Sequence, residues 1–240
     1  MLGLIPYVMA GHPDRERSIA AARSLAALPI SALELGIPFS DPLADGPVIQ
    51  RAGQAALEAG MTVAGCLEVA AAVSGNAPVV FMSYVNPVLA YGPERFAADA
   101  SAAGAAGVIL PDLPPEESGT VAAALHAQGL ATIFLVAPTS TDERIRVICD
   151  ASSGFVYCVT LTGVTGVRAE LPEGVGKLIA RVKANTALPV AAGFGIATPE
   201  HIRALRGVAD AAVVASALVR ELDEGRDPAR LVQELLAACR

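Results

Sequence analysis

The second apolar run of the chain, Ala32 to Gly36, contains a carboxylate at Glu34, and the loop after it carries two more, Asp41 and Asp45. Parallel strands in α/β folds are covered on both faces. A glutamate inside one loses water, its carboxyl pKa rises, and it becomes fit for proton transfer near neutrality. The competing reading is a solvated edge position. Asp41 and Asp45 lie beside Pro42 and Gly46, where aspartate is ordinary turn chemistry, so residue type alone leaves them open.

A second group lies in the last quarter. Ala192-Gly193-Phe194-Gly195 follows an apolar run, and Ala215-Ser216 opens a helical one. Glycines that permit close approach, together with N–H groups at a helix start, bind phosphate without lysine. A plain turn and a serine cap explain the same residues, and a lone GxG does not decide between them.

Other chemistries lack their residues. The only lysines, Lys177 and Lys183, both fall in a predicted helix, which leaves no Schiff-base lysine on a strand. Of His12, His126 and His201, only His12 falls at the C-terminal end of a strand, so no three-histidine metal site is expected. No G-x-S-x-G elbow is present. Carboxylate acid/base catalysis on a phosphorylated small molecule remains.

The elements that must position these residues follow from period. Apolar runs at 4–9, 32–36, 78–83, 107–110, 132–136, 155–160, 189–192 and 211–214 alternate with helix-forming stretches at 14–28, 50–74, 93–103, 115–128, 142–151, 175–185, 199–206 and 228–239. Eight such units without a composition break favour a closed (β/α)8 TIM barrel over an open doubly wound sheet. A chain of 240 residues matches one such domain, spanning 1–240, since these barrels run to roughly 250 residues. In either architecture the chemistry sits where strands end and βα loops begin.

Composition narrows the setting. A net charge of -7 opposes nucleic-acid binding. Cys66, Cys149, Cys158 and Cys239 form no CxxC pair and sit in apolar stretches, as expected of buried thiols in a reducing cytosol. Pro6 interrupts the apolar N-terminus, and Gly75, Pro78 and Pro87 interrupt the uncharged run 69–93, so neither a signal peptide nor a membrane span is expected. The expected location is the cytoplasm.

The stretch Leu33-Glu34-Leu35-Gly36-Ile37-Pro38-Phe39-Ser40-Asp41-Pro42-Leu43-Ala44-Asp45-Gly46-Pro47 resembles the signature of the tryptophan synthase alpha chain family. The likeness continues in order through Phe81 to Pro87, Asp112 to Glu117, Ile133 to Leu135, Gly163 to Val167, Gly193 to Ile196 and Ala215 to Val219. It implies a (β/α)8 barrel that cleaves indole-3-glycerol phosphate to indole and glyceraldehyde 3-phosphate, with no cofactor in this chain. By the same resemblance Glu34 is the proton shuttle, Asp45 accepts from the indole N–H, and Tyr157 orients the glutamate. Thr165 bonds the aspartate on closure of the loop after the sixth strand. Gly166, Gly193, Gly195, Ala215 and Ser216 cradle the phosphate, while Met82, Tyr84, Leu135 and Phe194 line the indole pocket.

Three features depart from the family pattern. The first strand begins almost at Met1, where relatives usually carry a preceding helix; Ala215 stands for a glycine; and Leu161 replaces a polar or basic residue. The resemblance also implies a partner, a beta chain holding pyridoxal phosphate in an α2β2 assembly, faced by Asp41, Pro42 and Asp112. A stand-alone indole-releasing lyase, a mainly partner-activating subunit and another phosphate-binding barrel isomerase are the alternatives.

Overall fold

The computed structural model describes residues 1–159, 174–193 and 195–240. In chain order its elements are β1 (Gly3–Met9), α1 (Arg15–Ala26), β2 (Leu33–Gly36), α2 (Pro47–Glu58), α3 (Val63–Ala71), β3 (Val79–Met82), α4 (Val85–Tyr91), α5 (Pro93–Ala102) and β4 (Ala105–Ile109). They continue with α6 (Gly119–Ala127), β5 (Ala131–Ile133), β6 (Leu135–Val136), α7 (Asp142–Ala151), β7 (Val156–Val159), α8 (Val175–Lys183), β8 (Val190–Gly193), α9 (Pro199–Leu205), β9 (Ala211–Val214), α10 (Ser216–Asp223) and α11 (Ala229–Ala238).

Every strand pair is parallel, and the spatial order is β5-β4-β3-β2-β1-β9-β8-β7-β6. The two ends of that order, β5 and β6, are separated in sequence by Phe134 alone. They are halves of one barrel strand, so the sheet closes on itself and the expected eight-strand ring is present. The break is the stagger that closure imposes: Ile133 pairs back to Ile109 on one side, and Leu135 pairs forward to Tyr157 on the other. Phe134 still accepts a hydrogen bond from the Tyr157 N–H at 3.1 Å.

Side-chain alternation sorts the strand residues into two cores. Ile5, Ala32, Val80, Ile109, Ile133, Ala191, Ala211 and Val213 fill the barrel interior. Their neighbours Leu4, Leu33, Leu35, Val79, Phe81, Val108, Val190 and Val214 face outward into the larger core under the helices. All four cysteines are buried free thiols. No helix among the described residues is long and apolar enough to cross a membrane.

Local chemistry sets the helix boundaries. Asp14, Thr62 and Thr141 accept from the backbone N–H groups of Arg17, Gly65 and Arg144 at 2.8, 3.1 and 3.2 Å, each capping a helix start. The helix expected over 50–74 is two helices. Gly60, with φ +82°, leaves α2 in a left-handed step while Gly60 N–H and Met61 N–H bond back to Leu57 and Ala56, and Thr62 then caps α3. Periodicity survives that turn because Met61 and Val63 still pack on the core. Helix α4 was not expected from sequence: Asn86-Pro87 reads as a breaker, but the proline falls in the first turn, where its missing N–H costs nothing.

Candidate active site

Glu34 lies on β2 in register with Tyr7 of β1 and Val80 of β3. Its neighbours Leu33 and Leu35 face the helices, so alternation turns Glu34 into the barrel. It is 3% exposed, and its Oε2 is buried with no hydrogen-bond partner among the described residues. Burial, helped by the charge of Asp45, pushes its carboxyl up to about 8. At neutral pH this is a protonated acid held in an apolar wall.

Asp45 reaches the same space from the loop after β2. That loop is short of regular structure but well tied. Asp45 N–H donates to the Pro42 carbonyl at 3.1 Å, the Gln50 amide donates to the Asp45 carbonyl at 2.9 Å, and Gly46-Pro47 starts α2 immediately after. Partial burial raises the Asp45 carboxyl to about 6, against a hydrogen bond from Tyr84 that lowers it. Asp45 is therefore ionised at neutral pH while Glu34 is not. Environments that split two carboxyls in this way supply an acid and an anion side by side.

Three tyrosines surround the pair. Tyr84, buried where β3 meets α4, accepts from Ala44 N–H at 3.0 Å and lies 5.3 Å from the Phe39 ring, which fastens the loop carrying Asp45. Tyr157 on β7 faces inward, partly exposed. Burial first, then the charges of Glu34 and Asp45, hold its phenol well above the usual range, so it remains a donor. Tyr7, buried on β1, is the member that sequence reasoning missed. The alternation Ile5-Tyr7-Met9 marks one face of the strand, but only register shows that Glu34 stands beside it. Met82 and Leu135, expected to line the indole pocket, pack at the edge of the interior core.

The phosphate candidates gather where β8 and β9 end. Gly195 takes φ +66°, a left-handed conformation that favours glycine, and nothing crowds its Cα. Gly193 is glycine for a reason sequence did not suggest: a Cβ there would lie 2.6 Å from the Tyr157 hydroxyl. Ala215, at φ -121°, needs no glycine and precedes Ser216, the first residue of α10. Among the described residues no side chain caps that helix; Leu218 N–H and Val219 N–H donate to the Ala215 carbonyl at 2.9 and 3.1 Å, which leaves the Ser216 and Ala217 N–H groups at its open end. Thr165, Gly166, Leu161 and Phe194 lie outside the described residues.

Among the described residues no group of three His, Cys, Asp or Glu side chains could hold a metal ion. His12 instead bonds Asp223 through Nε2 at 2.7 Å, tying the loop after β1 to the end of α10. A closed parallel barrel with a protonated glutamate, an ionised aspartate and backbone donors at the strands' C-terminal ends defines the class as a (β/α)8-barrel enzyme.

The family model described as tryptophan synthase alpha chain matches residues 2–240. The tryptophan synthase alpha chain of Acidiphilium cryptum (strain JF-5) is 49% identical over 228 residues, covering 94% of this chain and 83% of that relative. Tryptophan synthase from Mycobacterium tuberculosis superposes with a TM-score of 0.94 at 41% identity, covering 100% of this chain and 93% of that one. A mutant tryptophan synthase alpha subunit from Pyrococcus furiosus gives 0.90 at 37% identity and 98% coverage of both chains. The chain belongs to the tryptophan synthase alpha chain family.

Proposed function

We propose that this chain cleaves indole-3-glycerol phosphate to indole and D-glyceraldehyde 3-phosphate, as the alpha subunit of tryptophan synthase in L-tryptophan biosynthesis. The observation that carries the reading is the opposite protonation of Glu34 and Asp45 within one barrel mouth. In this reaction Glu34 donates its proton to indole C3, while the Asp45 carboxylate accepts the indole N–H and offsets the positive charge that develops on nitrogen. The Glu34 carboxylate left behind then takes the glycerol hydroxyl proton. The oxygen forms a carbonyl, the carbon–carbon bond breaks, and its electron pair restores the indole. Glu34 ends the cycle protonated as it began.

The remaining residues bind and orient. Tyr157 holds the Glu34 carboxyl in place. Backbone donors at Gly193, Gly195, Ala215 and Ser216 hold the phosphate, as α10 presents its N-terminus there. By resemblance Gly166 and Phe194 join the binding site, and Thr165 bonds Asp45 when its loop closes over the substrate. Residues 1–240 act as one catalytic domain in the cytoplasm. The partner is a beta chain that holds pyridoxal phosphate and consumes the indole. Support for a partner face comes from Leu43 (91% exposed) in the loop after β2 and Leu89 (51%) on α4, the helix that follows β3.

An indole-release assay tests the reading. The parent protein should form indole from indole-3-glycerol phosphate, and Glu34→Gln and Asp45→Asn should each lose roughly a hundredfold or more in kcat with folding intact. Near-parent turnover by either variant removes that residue from the mechanism. Strong stimulation by an added beta chain is expected; high turnover alone with no stimulation would instead mark a stand-alone lyase.

A further inference from the structure

We infer that the Tyr7 hydroxyl is a positioning group for Glu34, donating a hydrogen bond to the carboxylate that exists midway through the reaction. The inference rests on the reading that Glu34 carries the proton, and it assigns a role to a residue outside the carboxylate pair and Tyr157.

The geometry comes from β1 and β2. Tyr7 and Glu34 are register partners on adjacent parallel strands, both facing into the barrel. The Tyr7 ring leans along the strand direction and sets its hydroxyl above Gly36, two positions beyond Glu34 on the same face. A Cβ on Gly36 would collide with that oxygen. Gly36 thus leaves the space the phenol occupies, and the phenol lies close enough to Glu34 to feel the charge of its carboxylate. Tyr157 does the same from the other side, with its hydroxyl above Gly193.

Hydrogen-bonding capacity gives the inference its direction. Glu34 Oε2 is buried and unpartnered among the described residues. The Tyr7 hydroxyl rests on the Met9 sulfur at 3.7 Å, and a thioether is a weak acceptor that is readily exchanged for a carboxylate. Around Glu34 the titratable groups are Tyr7 from β1, Tyr157 from β7 and Asp45 from the loop after β2, while β3 presents the apolar Val80. Asp45 repels a carboxylate at position 34, so the phenols are the donors available to it. Burial and the nearby carboxylates keep Tyr7 protonated well beyond the usual range.

The test uses the full chain. Tyr7→Phe keeps the ring over Gly36 and removes only the oxygen. Without that donor the ionised form of Glu34 is less stable, so its pKa, read by NMR on 13C-labelled glutamate without substrate, should rise by about half a unit to one unit. With indole-3-glycerol phosphate, kcat should fall about tenfold while KM stays within about threefold. A Glu34 titration unmoved by Tyr7→Phe overturns the inference, whatever happens to turnover. Should that variant not fold, the Tyr7 13Cζ resonance of the parent decides: it should inflect where Glu34 titrates and lose the inflection in Glu34→Gln, and its persistence there overturns the inference. Neither NMR readout involves the substrate, so failure of the substrate assignment and failure of the Tyr7 role are told apart.

Discussion

Glu34 and Asp45 differ in what water can reach, and that difference sets the expected pH behaviour. In the proposed reaction Asp45 is ionised to accept from the indole N–H, and Glu34 is protonated to donate to C3. The kcat/KM profile should therefore be a bell, rising through the Asp45 value of about 6 and falling through the Glu34 value of about 8. Because the two carboxyls interact, the limbs belong to the pair. A rate still climbing at pH 9 would reverse the assigned protonation states. Stability follows with a definite sign. Unfolded glutamate titrates near about 4.3, and native Glu34 holds its proton to about 8. Between these values the native state binds more protons, so the stability Glu34 contributes below that range is lost as pH rises through it. Glu34→Gln should thus be more stable than the parent at pH 8, on the order of a few kcal/mol by denaturant unfolding, with the margin vanishing near pH 4. Glu34 was legible in sequence because a charge inside an apolar strand demands a reason. Tyr7 was not, since an aromatic residue in a strand is ordinarily core.

At the scale of elements, neighbouring strands constrain one another through glycine. The Tyr157 hydroxyl occupies the space a Gly193 side chain would need, so Gly193→Ala displaces the phenol beside Glu34 as well as crowding the proposed phosphate site. This variant should lower kcat, by about tenfold or more, in addition to any rise in KM. A change in KM alone would confine Gly193 to phosphate binding. Ala215→Gly should do little, since Ala215 already has an ordinary φ of -121°. Helix α4 depends on a distant residue: both carboxylate oxygens of Asp112, in the loop after β4, accept from Val85 N–H at 3.0 and 3.1 Å. Asp112→Ala removes that cap and should cost about 1 kcal/mol, measurable as a lower denaturation midpoint at unchanged slope. Sequence could not locate this helix because its stabilising acceptor lies beyond α5 and β4. The division of 50–74 into α2 and α3 was missed for the converse reason: apolar periodicity continues across Gly60, and only its left-handed φ reveals the turn.

Across the whole molecule, the barrel gathers the chemistry at one rim and leaves α4 exposed beside it. Leu89 on α4 is half-exposed. With the beta chain as partner, Leu89→Asp should reduce stimulation of indole release by added beta chain severalfold while basal turnover stays at the parent level. Unchanged stimulation would move the partner face elsewhere. The chain's own order of residues determined the alternation of strands and helices, the eight-unit count, and the presence of a carboxylate in the second strand. These are local properties, carried by period, capping residues and residue type within short windows. Family resemblance added roles for Glu34, Asp45 and Tyr157, but no geometry. Tertiary structure alone decided that β5 and β6 close the ring through Phe134, that Tyr7 stands beside Glu34, and that Gly36 and Gly193 make room for two phenols. The physical reason is register: which side chains meet across neighbouring parallel strands depends on the stagger that closes the barrel, and no short window of sequence contains it.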